Sequence, residues 1–171
     1  KLYHGATPTS AVGIESVLRV PYEAAALRTH FAPYASAPPC LLGGSGQRTR
    51  DTFVHRPDAV PLEPLRALAS QHGASLPAVL LAGVAHVVQQ HTNTTPVVGV
   101  QQNARLADIP DVERLAAPCL NVVPLVCEVG AELGASAAHI QATLQASRPY
   151  EQVSLEAVHR VLGLAFTPRF N

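Results

Sequence analysis

Eight histidines are spread through 171 residues, and imidazole is the side chain most ready to hold a metal or move a proton near neutral pH. His72, His86 and His91 flank or lie on one apolar stretch, but none of them pairs at the spacing of an HExxH zinc helix. His86 sits among apolar neighbours, where a hydrogen-bonded core histidine is the expectation. His55, beside Arg56, reads as a surface residue at a strand end. The stretch "LLGGSGQRTR" offers three glycines and two arginines to a phosphate. It lacks the terminal GK[ST] of a P-loop and does not join a strand to a helix, so a flexible linker is expected. Ser75 has no GxSxG elbow around it and suits a helix N-cap. No carboxylate pair flanks an evident cleft. The most informative polar residue is Asn121, set in "PCLNVVPLVCEV", a segment that otherwise reads as a buried strand. Asparagine is depleted in strands and costly to bury unsatisfied. Asn121 is therefore either a satisfied structural residue or part of a site.

The elements that position these residues follow from pattern. "PYEAAALRTHFAPY" predicts a short helix opening at Pro21 and stopping near Pro33. "ASAPPCLLGGSGQRTRD" is the clearest linker. "TFVHRP" suits a short strand. "PLEPLRALASQHG" predicts a helix with Leu62, Leu65, Leu68 and Ala69 on one side and Gly73 as its stop signal. "SLPAVLLAGVAHVVQQH" predicts a helix capped by Ser75, with Pro77 in its first turn, apolar nearly all round and so buried. "TPVVGVQQ" is a strand, "NARLADIPDVERLAA" a polar connection, and the Asn121 stretch the next strand. "ASAAHIQATLQAS" predicts a helix carrying Ala138, Ile140, Ala142 and Leu144. "SLEAVHRVLGL" predicts another, from Ser154 to Gly163, and "FTPRFN" an entering strand. The order strand, helix, helix, strand, strand, helix, helix, strand is that of an α/β sandwich whose mixed sheet is covered by helices.

Composition narrows the classes. The chain is 47% hydrophobic and 14% charged, well under the roughly 25% charge of ordinary globular proteins, so a core is expected over most of its length. Twelve basic residues balance twelve acidic ones, which leaves no electrostatic footprint for nucleic acid. No run of 18 apolar residues and no signal-peptide pattern is present, and a cytoplasmic protein with no membrane partner is expected. Cys40, Cys119 and Cys127 are an odd set without framework spacing, expected as buried free thiols. A chain without methionine is expected to be a fragment of something larger.

Four stretches, taken in order, carry a family resemblance. "PLEPLRALASQHGASLPAVLLAGVAHVVQQHTNTTPVVGVQQNAR" resembles the helix–helix–strand passage in the C-terminal lobe of condensation domains from nonribosomal peptide synthetases, matching its glycine and later arginine with Gly99 and Arg105. "APCLNVVPLV" resembles the family's "GPFVNTLPLR", with Pro118, Asn121, Pro124 and Leu125 in register. "QASRPYEQ" resembles "HQDxPFE", keeping Pro149 and Glu151 with Tyr150 for Phe, and "TPRFN" resembles the strand that follows. Further upstream, "HFAPYASAPPCLL" resembles the segment that crosses from the N-terminal lobe. The resemblance covers about residues 28 to 171.

It implies a lobe of chloramphenicol-acetyltransferase-like fold, with residues 1–35 as the end of the preceding lobe, 36–51 as linker and 52–171 as an incomplete C-terminal lobe. Two such lobes would enclose a tunnel in which a carrier-bound acyl or peptidyl thioester meets a carrier-bound amine. Asn121, Pro124 and Arg105 are then tunnel-side candidates, Asn121 either bonding the crossing backbone or donating to a thioester or pantetheine arm. Pro118, Pro149, Tyr150, Glu151 and Gly99 are structural motif positions. Implied partners are the N-terminal lobe, peptidyl carrier domains and an adenylation domain. No cofactor is bound directly, the phosphopantetheine being on the carriers. The family's catalytic HHxxxDG motif is absent, since the chain holds no pair of adjacent histidines, so no catalytic residue is expected in it. Val126 stands where the family often has arginine, and Gln145, Ala146 and Ser147 where it has His, Gln and Asp. The Cys-Leu-Asn-Val-Val-Pro run resembles synthetases of ferrichrome-type siderophores. Two other readings are a non-catalytic docking lobe and a lobe of a coenzyme A-dependent acyltransferase of the same superfamily. A lobe apart from its partner is also expected to expose an apolar face.

Overall fold

Ser75 and Ser154 each begin a helix in the computed structural model, which describes residues 22–37, 61–103 and 120–164. Ser75 Oγ accepts from the Ala78 N–H at 3.4 Å and Ser154 Oγ from the Ala157 N–H at 3.2 Å, satisfying donors that a first turn leaves open. In chain order the elements are α1 (Ala24–Ser36), α2 (Leu62–Gln71), α3 (Leu76–Thr92), β1 (Val97–Asn103), β2 (Leu120–Val126), α4 (Leu133–Ser147), a 3₁₀ turn (Arg148–Tyr150) and α5 (Leu155–Leu162). The expected inner order of helix, helix, strand, strand, helix, helix is present. The strands expected at "TFVHRP" and "FTPRFN", most of the linker, Cys40, Cys119 and His55 lie outside the described residues.

Helix ends follow the sequence signals closely. After α2, Gly73 takes φ +61°, its N–H reaches Ser70 O, and the Ala74 N–H reaches Ala69 O at 2.9 Å. That is a Schellman stop, which glycine adopts without Cβ strain. Gly163 closes α5 in the same left-handed region, with φ +68°. The helix α1 departs from expectation by running through Pro33 to Ser36. An interior proline costs roughly 3 kcal/mol, but Leu27, Phe31 and Tyr34 form one buried stripe on α1, and burying each large apolar side chain contributes about 1.5–3 kcal/mol. Packing outweighs the local stop signal.

One further expectation is corrected. The helix α3 is not buried all round: Ala78, Val79, Ala82, Ala85 and Val88 are buried, whereas Leu80, Val84 and Val87 are 49, 53 and 56% exposed. The buried face is built of alanine and valine, and Leu80, Val84 and Val87 on the other face are about half exposed. On α2 only Ala69 is buried, and Leu62 is exposed. The stretch expected to be helical forms α4, whose buried positions are Gly134, Ser136, Ala137, Ile140 and Ser147, at helical spacing.

The two strands pair in a two-stranded sheet. The Cys127 N–H, just past the end of β2, bonds Pro96 O, just before the start of β1, at 2.8 Å, so the strands are antiparallel. Carrying that register along the strands sets Gly99 opposite Pro124 and turns the proline's missing N–H away from the ladder. Cys127 is a buried free thiol, as expected, and burial pushes its pKa up to about 12.

The chain divides into two compact units, each assembled from separated stretches. One contains residues 22–35, 99–103, 120–124 and 147–164; the other contains 36–37, 61–98 and 125–146. In the second unit Gln141 Oε1 accepts the Ser75 N–H, and the His86 ring meets Ser136 Oγ at 3.2 Å. Ser136 also receives the Gly130 N–H and donates to Glu132 O. His86 is thus hydrogen-bonded, as its neighbours in sequence suggested, but it is half-buried rather than a core residue. No single helix among the described residues is long and apolar enough to cross a membrane.

Candidate functional site: the Asn121 turn

Asn121 answers the question its setting raises. Its amide nitrogen donates to Glu151 O and to Val153 O, each at 2.8 Å. A side-chain amide has two such protons, so both are committed to backbone. The carbonyls they reach belong to the turn that follows the 3₁₀ helix, where Glu151 N–H bonds Arg148 O and Val153 N–H bonds Tyr150 O. Asn121 therefore ties β2 to the chain between α4 and α5. Donation to a ligand would require breaking one of these two bonds.

The same turn is also held by α1. The His30 ring stacks on Tyr150 with centroids 4.5 Å apart and planes at 26°, and its Nε2 lies 3.2 Å from Ser147 Oγ. Phe31 meets Tyr150 edge-on. One turn further along α1, Tyr34 stacks on His159, and the Tyr34 hydroxyl lies 2.7 Å from His159 Nε2. Arg28 donates twice to Val161 O. Each side thus supplies one histidine and one tyrosine to two reciprocal stacks. Burial lowers the His30 pKa below its ordinary value, because a charged imidazole there would lose hydration.

Among the predicted positions, Asn121, Tyr150 and Glu151 are brought together, with Pro149 beside them on the exposed side of the 3₁₀ turn. Pro124 is buried within β2 and Gly99 is half-buried in β1. Arg105 and Pro118 lie outside the described residues. His30, Tyr34 and His159 were not singled out from sequence, although the i, i+4 spacing of His30 and Tyr34 in "HFAPY" places both on one helical face.

Chemically, the arrangement holds and positions. Among the described residues no cluster of three or more histidine, cysteine or carboxylate side chains is placed to hold a metal. Ser147 is only 2% exposed, so its contact with His30 gives a tie between segments, not an approachable nucleophile.

No family model matches the chain. Over 108 residues, 60% of the chain, it is 36% identical to a protein named coprinoferrin synthetase from Coprinopsis cinerea, of which it covers 4%. Over its whole length it is 29% identical to nonribosomal peptide synthetase NPS2 from Ceriporiopsis subvermispora, of which it covers 8%. Its structure superposes on the first condensation domain of the calcium-dependent antibiotic synthetase, solved in complex with substrate analogue 3a. The TM-score is 0.66 at 21% identity, over 95% of this chain and 38% of that one. The fold is that of a condensation domain, an α/β fold of the chloramphenicol-acetyltransferase type. In sequence the chain is similar to proteins named a coprinoferrin synthetase and a nonribosomal peptide synthetase. It spans a small part of the relatives it matches.

Proposed function

We propose that this chain is the C-terminal lobe of a condensation domain in a nonribosomal peptide synthetase, forming one wall of the tunnel where two carrier-bound substrates are joined. The observation that carries this reading is the Asn121 bond to Glu151 O. It unites two of the stretches, "APCLNVVPLV" and "RPYEQ", in which the sequence resembles the family, and it does so within a condensation-domain fold.

In the reaction, the amine nitrogen of one carrier-bound substrate attacks the thioester carbonyl of the other. The C–N bond forms and the C–S bond breaks. The departing phosphopantetheine thiol takes up the proton that the amine loses. This chain holds no adjacent histidine pair, and none of its described residues is assigned to that proton transfer. Its share is shape: the Asn121 turn fixes β2, and β2 carries Pro124 toward the tunnel side. Arg105 is proposed to lie on the same side. Peptidyl carrier domains bearing phosphopantetheine, an adenylation domain and the N-terminal lobe are the proposed partners. The likeness to coprinoferrin synthetase supports a hydroxamate siderophore as the product of the parent synthetase.

The test is condensation between acyl-loaded and aminoacyl-loaded carrier domains, followed by the mass of the carrier-tethered product. The complete domain forms the amide and the 171-residue chain alone does not. Product from the chain alone overturns the assignment. A complete domain that binds both loaded carriers without forming product makes the lobe a docking platform. Turnover with acyl-coenzyme A in place of the loaded carrier makes it part of a free-thioester acyltransferase.

A further inference from the structure

The second half of α1 lies in the stretch that resembles a crossing segment, yet the contacts of the helix converge on the turn that Asn121 clamps. We propose that α1 is the positioning element of the Asn121 turn, with His30 acting through Tyr150. The proposal stands on geometry in one compact unit and does not depend on the reaction assigned above.

The Glu151 and Val153 carbonyls can accept from Asn121 only while residues 151–153 keep their present course. Tyr150 immediately precedes that course and accepts the Val153 N–H through its own carbonyl. Its ring is covered on one face by His30, with centroids 4.5 Å apart, and on an edge by Phe31 at 5.7 Å. Aromatic pairs at these separations attract one another beyond the area they bury. His30 also meets Ser147 at the end of α4, so the 3₁₀ turn is gripped at both ends. Downstream, His159 is buried and bonded to Tyr34, and Arg28 holds the last turn of α5 at Val161 O. The segment from Ser147 to Val161 is therefore fastened to α1 at three points, and the Asn121 acceptors lie between the first and the second. Freeing the first point lets the turn move while the others keep the unit assembled.

The readout is hydrogen exchange of the two Asn121 side-chain amide protons in the isotope-labelled chain, recognised by their loss in Asn121→Asp. His30→Ala is expected to speed their exchange about tenfold, since local opening governs such rates. His30→Phe, which restores a ring over Tyr150, is expected to return the rate to within about twofold of the parent, since exchange again reports that opening. The Cys127 N–H, bonded to Pro96 O in the other unit, is expected to keep its rate. Unchanged Asn121 exchange in His30→Ala overturns the proposal, as does equal acceleration at Asn121 and Cys127, which is global unfolding. Should His30→Ala not fold, His30→Gln removes the ring while keeping a polar group toward Ser147. Fast Asn121 exchange in that variant supports the proposal and parental exchange overturns it.

Discussion

Asn121 and Glu151 are 30 positions apart in the chain and 2.8 Å apart in space, joined by a side-chain amide donating to a backbone carbonyl. A second proton of the same nitrogen goes to Val153 O. Replacing Asn121 with alanine leaves two carbonyls without their donor, and an acceptor stranded in this way costs about 1–3 kcal/mol. Asn121→Asp is expected to be worse, because a carboxylate repels the carbonyls that the amide attracts. Urea denaturation checks this: both variants shift the midpoint down with an unchanged slope, Asp further than Ala. An Asp variant as stable as the parent would show that these bonds do not hold the turn.

The pH dependence of stability follows from His30. Its folded pKa is lowered by burial, so the unfolded chain binds a proton more readily than the folded one in the window below about 6.5. Stability contributed by neutral His30 is fully present above the unfolded value and is lost as pH falls from about 6.5 toward the folded pKa. His30→Gln removes that dependence. Thermal melts from neutral pH down to about 5, spanning histidine's ordinary titration range, are expected to show the parent losing more Tm than His30→Gln over the same interval. Parallel curves would mean that His30 titrates alike in both states.

Much of this was legible in the sequence because it rests on local signals. Ser75, Ser154, Gly73 and Gly163 mark helix ends by chemistry confined to a few neighbouring residues, and each acts where its spacing put it. The Asn121 stretch was recognisable as a strand with a satisfied or functional polar residue, but its partners were not, since carbonyls 30 and 32 positions away leave no mark in composition. Pro33 misled for a related reason. Its local effect is to stop a helix, whereas the packing of Leu27, Phe31 and Tyr34 that carries α1 past it is non-local. The expectation that α3 is buried all round fails because a stretch rich in alanine, valine and leucine has no polar side to mark the exposed face.

Gly134 packs directly against the His72 ring. A Cβ there would fall inside contact distance of the His72 ring. Gly134→Ala is expected to destabilise the chain by about 1–3 kcal/mol, the usual cost of overpacking. The gain in helix propensity from glycine to alanine, up to about 1 kcal/mol, offsets only part of it. Adding His72→Ala removes the clash, leaving the propensity gain. A double-mutant cycle is expected to give a coupling of about 0.5–3 kcal/mol. Additive effects would mean that the His72 ring swings away without cost.

The stripe of Leu80, Val84 and Val87 on α3 is about half exposed at each position, and the spacing puts all three side chains on one face. Within the 171-residue chain these residues contribute little, so Val84→Gln with Val87→Gln is expected to change stability by less than about 0.5 kcal/mol. Glutamine is also the better helix former of the two. Ala82, fully buried on the opposite face, is the contrast: Ala82→Gln inserts a polar chain into packed space and is expected to lower stability by about 1–3 kcal/mol or more. In the complete condensation domain the proposed reading predicts a different result for the stripe. If the remainder of that fold covers Leu80, Val84 and Val87, the paired glutamine substitutions lower the Tm of the complete domain while leaving that of the chain alone unchanged. Equal, small effects in both would place the stripe permanently in water and remove it from any contact between lobes.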